Sequence, residues 1–171
     1  MEELPIKFGT TQEFTIPEFE GRAATKLSFT NNYLAENRMV EARVVSGATY
    51  SDLEMIMADG ESEMRTNHAL VAYEITRAKQ AFEMIKSELM VDEYPGFLKE
   101  KNLKDNATIR SAFLHQKKRF LNAQDRIDFL TALEKLVEGK IKVLNNVSRI
   151  MKKEMDIQIR SAFTGNKYIS K

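Results

Sequence analysis

The chain of 171 residues has two histidines, His68 and His115, and no cysteine, so its means for metal or nucleophilic chemistry are narrow. Zinc is held by clustered cysteine and histidine, and two histidines 47 positions apart make no site of that kind. Neither a GxxxxGKS/T nor a GxGxxG run is present to cradle phosphate. Asp125 and Asp128, or Glu134 and Glu138, are spaced to share a helical face, where general acid–base pairs could form. Such work needs a desolvating pocket to shift a pKa, and lysine-rich surroundings read instead as solvated salt bridges. His68 falls on an apolar stripe and reads as a satisfied interhelical residue, and His115 as solvent-facing. The expectation is a protein that is not an enzyme and has no cofactor or metal.

Basic side chains are the remaining candidates. Net charge is −5 over residues 1–60, −2 over 61–108 and +8 over 109–171. Such asymmetry fits polyanion binding, or pairing of acidic and basic segments between subunits. The basic side chains of the last third include Arg110, Lys117, Lys118, Arg119, Arg126, Lys135, Lys140, Lys142, Arg149, Lys152 and Lys153, with Phe113, Phe120 and Tyr168 as candidate stacking partners. A basic groove with aromatic rings holds single strands without sequence preference.

These residues need long helices to position them. Ile109, Phe113, Gln116, Phe120, Ala123, Ile127, Leu130, Glu134, Val137, Ile141, Leu144, Ser148, Met151 and Met155 alternate at spacings of four and three. Eleven of these fourteen are apolar, which is a coiled-coil seam along an uninterrupted helix on the order of 70 Å long. Met64, His68, Val71, Ile75, Ala78, Phe82, Ile85 and Leu89 repeat the pattern in an arm from Ser51 to about Val91. Ser51 and Glu54 form a capping-box pattern, Asp59-Gly60 predicts a kink, and Pro95-Gly96 predicts the end of the arm. Asn106 or Thr108 caps the next helix. Flanking Leu114, Leu121, Leu133 and Leu136 give the second arm more apolar surface than the first can cover, which predicts a homo-oligomer.

The chain is therefore read as all-α, a long antiparallel coiled-coil-like hairpin with a shorter N-terminal helix and an extended N-terminal arm. Residues 1–47 form the arm and short helix, and 48–171 the hairpin and basic tail. Phe14, Ile16, Phe19 and the alternating Leu27-Ser28-Phe29-Thr30 suggest a strand or hairpin packed on a helix or a neighbouring subunit. Asn31 or Asn32 would cap a helix running to about Val45 with Leu34, Met39, Val40 and Val44 as its apolar residues, and the tail Lys167–Lys171 would be mobile. The acidic start MEELPIKFGTTQEF lacks the features of a signal peptide, and no stretch approaches the roughly 20 apolar residues of a membrane span. A soluble cytoplasmic protein with no membrane partner is expected.

The run TRAKQAFEMIKSEL, a short connection, and ATIRSAFLHQKKRFLNAQDRIDFLTALEKLVEGKIKVLNNVSRIMKKEM together resemble the phage recombination mediators of the UvsY type. The resemblance covers about residues 70–157, with Ile109–Leu114 as the apolar-aromatic cluster and Asn146–Met155 as the basic terminal pattern. It implies a non-enzymatic accessory that forms rings and binds single-stranded DNA. It also implies help to a RecA-like recombinase in displacing single-strand-binding protein. On matching positions, Lys117, Lys118, Arg119, Arg126, Lys142, Arg149, Lys152 and Lys153 would touch DNA. Two readings stand beside it: a structural or adaptor protein, such as a phage particle component, and a regulator that binds another protein through its helices.

Overall fold

A chain with seven glycines and three prolines among 171 residues leaves long stretches free to propagate helix. The computed structural model describes residues 13–41 and 47–165. Two short strands, β1 (Glu13–Ile16) and β2 (Thr25–Ser28), come first. They are followed by α1 (Thr30–Glu41), α2 (Gly47–Glu88), a π-helical turn (Leu89–Glu93), α3 (Tyr94–Lys101), α4 (Ala107–His115) and α5 (Lys118–Gly165). The fold is all-α apart from the small sheet, and α2 and α5 form the long hairpin. Val44 and the Lys167–Lys171 tail lie outside the described residues.

The direction of pairing is read from cross-helix contacts. Glu54 meets Lys152 and His68 meets Glu138 in one compact unit, formed by residues 1–68 and 136–171. Phe82 meets Phe120 and Glu88 meets Arg119 in the other, residues 69–135. Within each unit α2 numbers rise as their α5 partners fall, so the helices are antiparallel. On α5, Ala123, Leu130, Val137, Leu144 and Met151 are buried at every seventh position. The alternate seam residues Ile127, Glu134, Ile141, Ser148 and Met155 are half-buried, so the contact is centred to one side of the stripe.

In the first unit β1 and β2 pair antiparallel, Phe14 with Leu27 and Ile16 with Thr25. Glu20 and Gly21 both take positive φ in the turn between Phe19 and Arg22, the backbone that a tight two-residue connection demands. Ile16 and Leu27 are fully buried. Asn67 donates to the Ser28 carbonyl and Ser28 Oγ donates to Glu63 (2.6 Å), so the hairpin packs on α2 of its own chain. The helix start at α1 differs from the capping expected of Asn31 or Asn32. Both lie inside the helix, and the Asn32 N–H is taken by the Glu63 carboxylate at 2.9 Å.

Gly60 does not break α2, which runs unbroken through it from Gly47 to Glu88. A Cβ there would lie 3.2 Å from Ala35 Cβ and 3.2 Å from the Asn31 carbonyl, so the glycine serves the close approach of α1. Ser51 lies inside α2, which already begins at Gly47.

In the second unit Pro95 starts α3 rather than ending the arm, because proline at the first helical turn forfeits only an N–H that has no partner anyway. The wide turn before it brings Leu89 and Tyr94 to the same side, and the Tyr94 N–H reaches back to the Leu89 carbonyl. Asn102, at φ 52°, ends α3 in the left-handed conformation. Asn106 caps α4, accepting from the Ile109 N–H at 2.9 Å. The expected uninterrupted second arm is broken at Gln116–Lys117, where their N–H groups return to the carbonyls of Phe113 and Leu114. Gln116 is the one position of this seam in the exposed class, and Phe113, Leu114 and Phe120 are buried on either side of the break.

Candidate nucleic-acid interface

Each basic candidate is a long side chain on a helix or, for Lys117, in the break before α5, so its fate depends on what the opposing elements offer. In the unit 69–135 the α2 side supplies carboxylates. Arg119 pairs with Glu88 at 2.7 Å. Lys117 is held by Glu93 and lies 4.8 Å above the Phe113 ring centroid. Arg126 is half-buried among apolar neighbours, and burial lowers its pKa while the Glu74 carboxylate raises it. Lys118 alone of this quartet faces solvent without an ion-pair partner among the described residues.

The same unit holds the strongest electrostatic cluster. Arg110 donates to Asp105 from Nε (2.7 Å) and from Nη2, and Tyr94 Oη donates to Asp105 at 2.8 Å. The Arg110 hydrogen bonds, then that of Tyr94, lower the Asp105 carboxyl from its ordinary 3.8 to about 2. Burial of Tyr94, which is 4% exposed, raises its phenol, and Asp105 raises Arg110. This cluster ties the α3–α4 connection to α4, so Arg110 is a structural cation. A cleft of about 440 Å³ opens nearby, with Glu93 and Glu100 on its rim beside Lys117. Mixed charge of this kind does not present one sign to a polyanion.

In the unit 1–68 and 136–171, Lys152 reaches Glu54 at 3.3 Å. Lys142, Arg149 and Lys153 are exposed and have no ion-pair partner among the described residues. Lys142 and Arg149 are seven apart and Lys153 four further on, so the three share one side of α5, with Asn145 and Asn146 between them. Asp156, seven after Arg149, closes the run. Lys140, counted among the outward bases from sequence, is instead 8% exposed and bound to Glu36 of α1.

The ring candidates also change. Phe113 and Phe120 are buried against Tyr94, Phe97 and Phe82, so neither can stack on a base. Tyr168 lies outside the described residues. His68 approaches Glu138 across the hairpin (3.5 Å), and His115 is exposed with Nδ1–H donating to Ser111 O at 2.8 Å. Asp128 accepts from Gln124 (3.2 Å), as a surface acid does.

The structure thus separates the eight candidates into three exposed cations sharing one side of α5, an exposed Lys118 elsewhere, and four held by acids of the same chain. Sequence alone did not show which lysines were committed, because each commitment depends on the antiparallel register. Among the described residues no helix is long and apolar enough to cross a membrane, and no group of three potential metal ligands occurs. Comparison of the chain with protein-family models, curated proteins and solved structures gives no match.

Proposed function

We propose that this protein is a single-stranded-DNA-binding accessory that acts as a homo-oligomer and helps a RecA-like recombinase displace single-strand-binding protein. The observation that carries the binding step is the exposed, unpaired set Lys142, Arg149 and Lys153 on one side of α5. Cations left unpaired in a chain with 25 carboxylates are free to exchange small counterions for phosphates. The recombinase step rests on the resemblance to UvsY-type mediators. Several copies would multiply the field of three cations each.

The test is anisotropy of a fluorescent poly-dT oligonucleotide across a salt series. Each phosphate neutralised on a single strand contributes a slope of about −0.7 in log affinity against log salt. One engaged copy should therefore give a slope near −2 by this rule. Replacing Lys142, Arg149 and Lys153 together by glutamine should weaken binding at least about tenfold at low salt and flatten the slope. Absence of binding at low salt would overturn the reading. Displacement of single-strand-binding protein from the same oligonucleotide tests the mediator step.

A second reading has its own observation. Val143, Ile150 and Ile157, seven apart on α5, are 50%, 54% and 57% exposed. A heptad-spaced aliphatic stripe suits helix packing, and would serve a structural or adaptor protein that assembles through its hairpin. That reading predicts a defined oligomer without salt-sensitive oligonucleotide binding.

A further inference from the structure

The unit 69–135 has one aromatic ring that its own packing leaves unused. Tyr73 is 56% exposed, the only phenylalanine or tyrosine in the exposed class among the described residues. It stands between Val71 and Ile75, both buried, and so projects from the side of α2 turned away from the seam. The Arg77 guanidinium carbon lies 5.2 Å from the ring centroid, covering part of the ring and holding a positive charge beside it.

The surrounding surface favours one kind of occupant. Residues three and four apart on this side of α2 are Leu70, Tyr73, Arg77, Gln80 and Met84. They include no carboxylate, and their one charge is positive. The nearby acids are engaged elsewhere, Glu74 with Arg126 and Glu83 with Lys86 at 3.5 Å. A partner helix would need a continuous apolar stripe, and Arg77 and Gln80 interrupt this one. A polynucleotide needs a flat ring for a base, a cation for a phosphate and a polar group for a base edge.

We propose that Tyr73, backed by Arg77, is a base-stacking site for single-stranded nucleic acid, an inference that rests on the polynucleotide-binding reading above. It names a contact with the bases, whereas Lys142, Arg149 and Lys153 can read only backbone charge. The two contributions separate when backbone and bases are varied independently. Two fluorescent oligomers of equal length and charge serve as probes, one of dT and one of base-free deoxyribose phosphate.

The full-length protein should bind the dT oligomer about tenfold more tightly than the base-free one, in the range that base–aromatic stacking gives. Tyr73→Ser should bind both alike, with helix content unchanged by circular dichroism, and Tyr73→Phe should keep the preference. Equal binding of the two oligomers by the unaltered protein would overturn the stacking site alone. So would a preference that survives Tyr73→Ser. If Tyr73→Ser changes the oligomer mass by light scattering, the face belongs to a subunit contact and the proposal fails. If neither oligomer binds the unaltered protein, the function reading fails and takes this site with it.

Discussion

The two quartets of candidate cations were equivalent in sequence and are unlike in structure. Of Lys117, Lys118, Arg119 and Arg126, three are engaged by Glu93, Glu88 and Glu74. Of Lys142, Arg149, Lys152 and Lys153, only Lys152 has such a partner, Glu54. The first quartet lies across from carboxylates of its own unit, and those pairs join α2 and the turn after it to α5 and the break before it. In the unit 1–68 and 136–171 other acids of α2 are used otherwise: Glu63 orders Ser28 and Asn32, and Glu61 pairs with Arg65. The lesson is that charge density along a helix does not locate a polyanion site. What matters is the charge left over once the antiparallel register has assigned the partners.

Interior polarity differs in the same way, and the largest expected effect tests it. The unit 1–68 and 136–171 buries Asn32, Asn67 and Lys140, whereas the buried residues of the unit 69–135 are apolar. Glu36→Ala removes the carboxylate that the nearly buried Lys140 reaches and should cost about 2 kcal/mol, the order of a hydrogen bond to a charged group. Differential scanning calorimetry should show a midpoint lower by roughly 4–8 °C at this chain length. Glu88→Gln, which strips an exposed partner from Arg119, should cost under about 1 kcal/mol. Equal losses from the two substitutions would dissolve the distinction.

Two glycines sharpen the contrast at a smaller scale. Gly60→Ala must push against Ala35 and the Asn31 carbonyl, and should destabilise by about 1 kcal/mol despite alanine's better helix propensity. Gly139→Ala meets nothing within 4 Å and should stabilise by about 0.5–1 kcal/mol. Chemical denaturation of both variants checks the opposite signs.

The smallest effect concerns acid. Asp105 has a folded pKa of about 2 against an ordinary 3.8. Its stabilising contribution is therefore present above about pH 4 and is lost as pH falls towards 2. The stability gap between the protein and Asp105→Asn should be steady near neutrality and shrink across that window. A gap that widens on acidification would contradict the Arg110–Asp105–Tyr94 arrangement.

Much of the frame was legible from residue spacing. The four–three alternation gave α5 and its partner arm, because burying a stripe against one neighbour imposes that period. Asn106 was legible as a cap because its side chain satisfies a local N–H. Pro95, Gly60 and Gln116 misled or gave no signal for one shared reason. The first reads as a stop from sequence and is a start, the second serves α1, and the third marks a break between helices whose rings pack on Phe82, Tyr94 and Phe97. Each depends on packing partners distant in sequence. Of the candidate site, the cations themselves were legible but not their pairing. Tyr73 was missed because it lies off the stripe on which attention to periodicity falls.

The wide turn at Leu89–Glu93 has a consequence for how this chain tolerates change in length. Five residues of ordinary α-helix would set Leu89 and Tyr94 about 140° apart, at about 100° per residue. The turn absorbs the equivalent of one inserted residue and restores their alignment, so both are buried. Removing a single residue there would leave a regular helix that is locally more comfortable. Leu89 and Tyr94 would then stand four apart, about 40° round an ordinary helix, so the side chains beyond would keep their face and Tyr94 its approach to Asp105. The segment behaves as a vernier between two otherwise regular scales: its wide turn lets them read the same mark with one residue to spare.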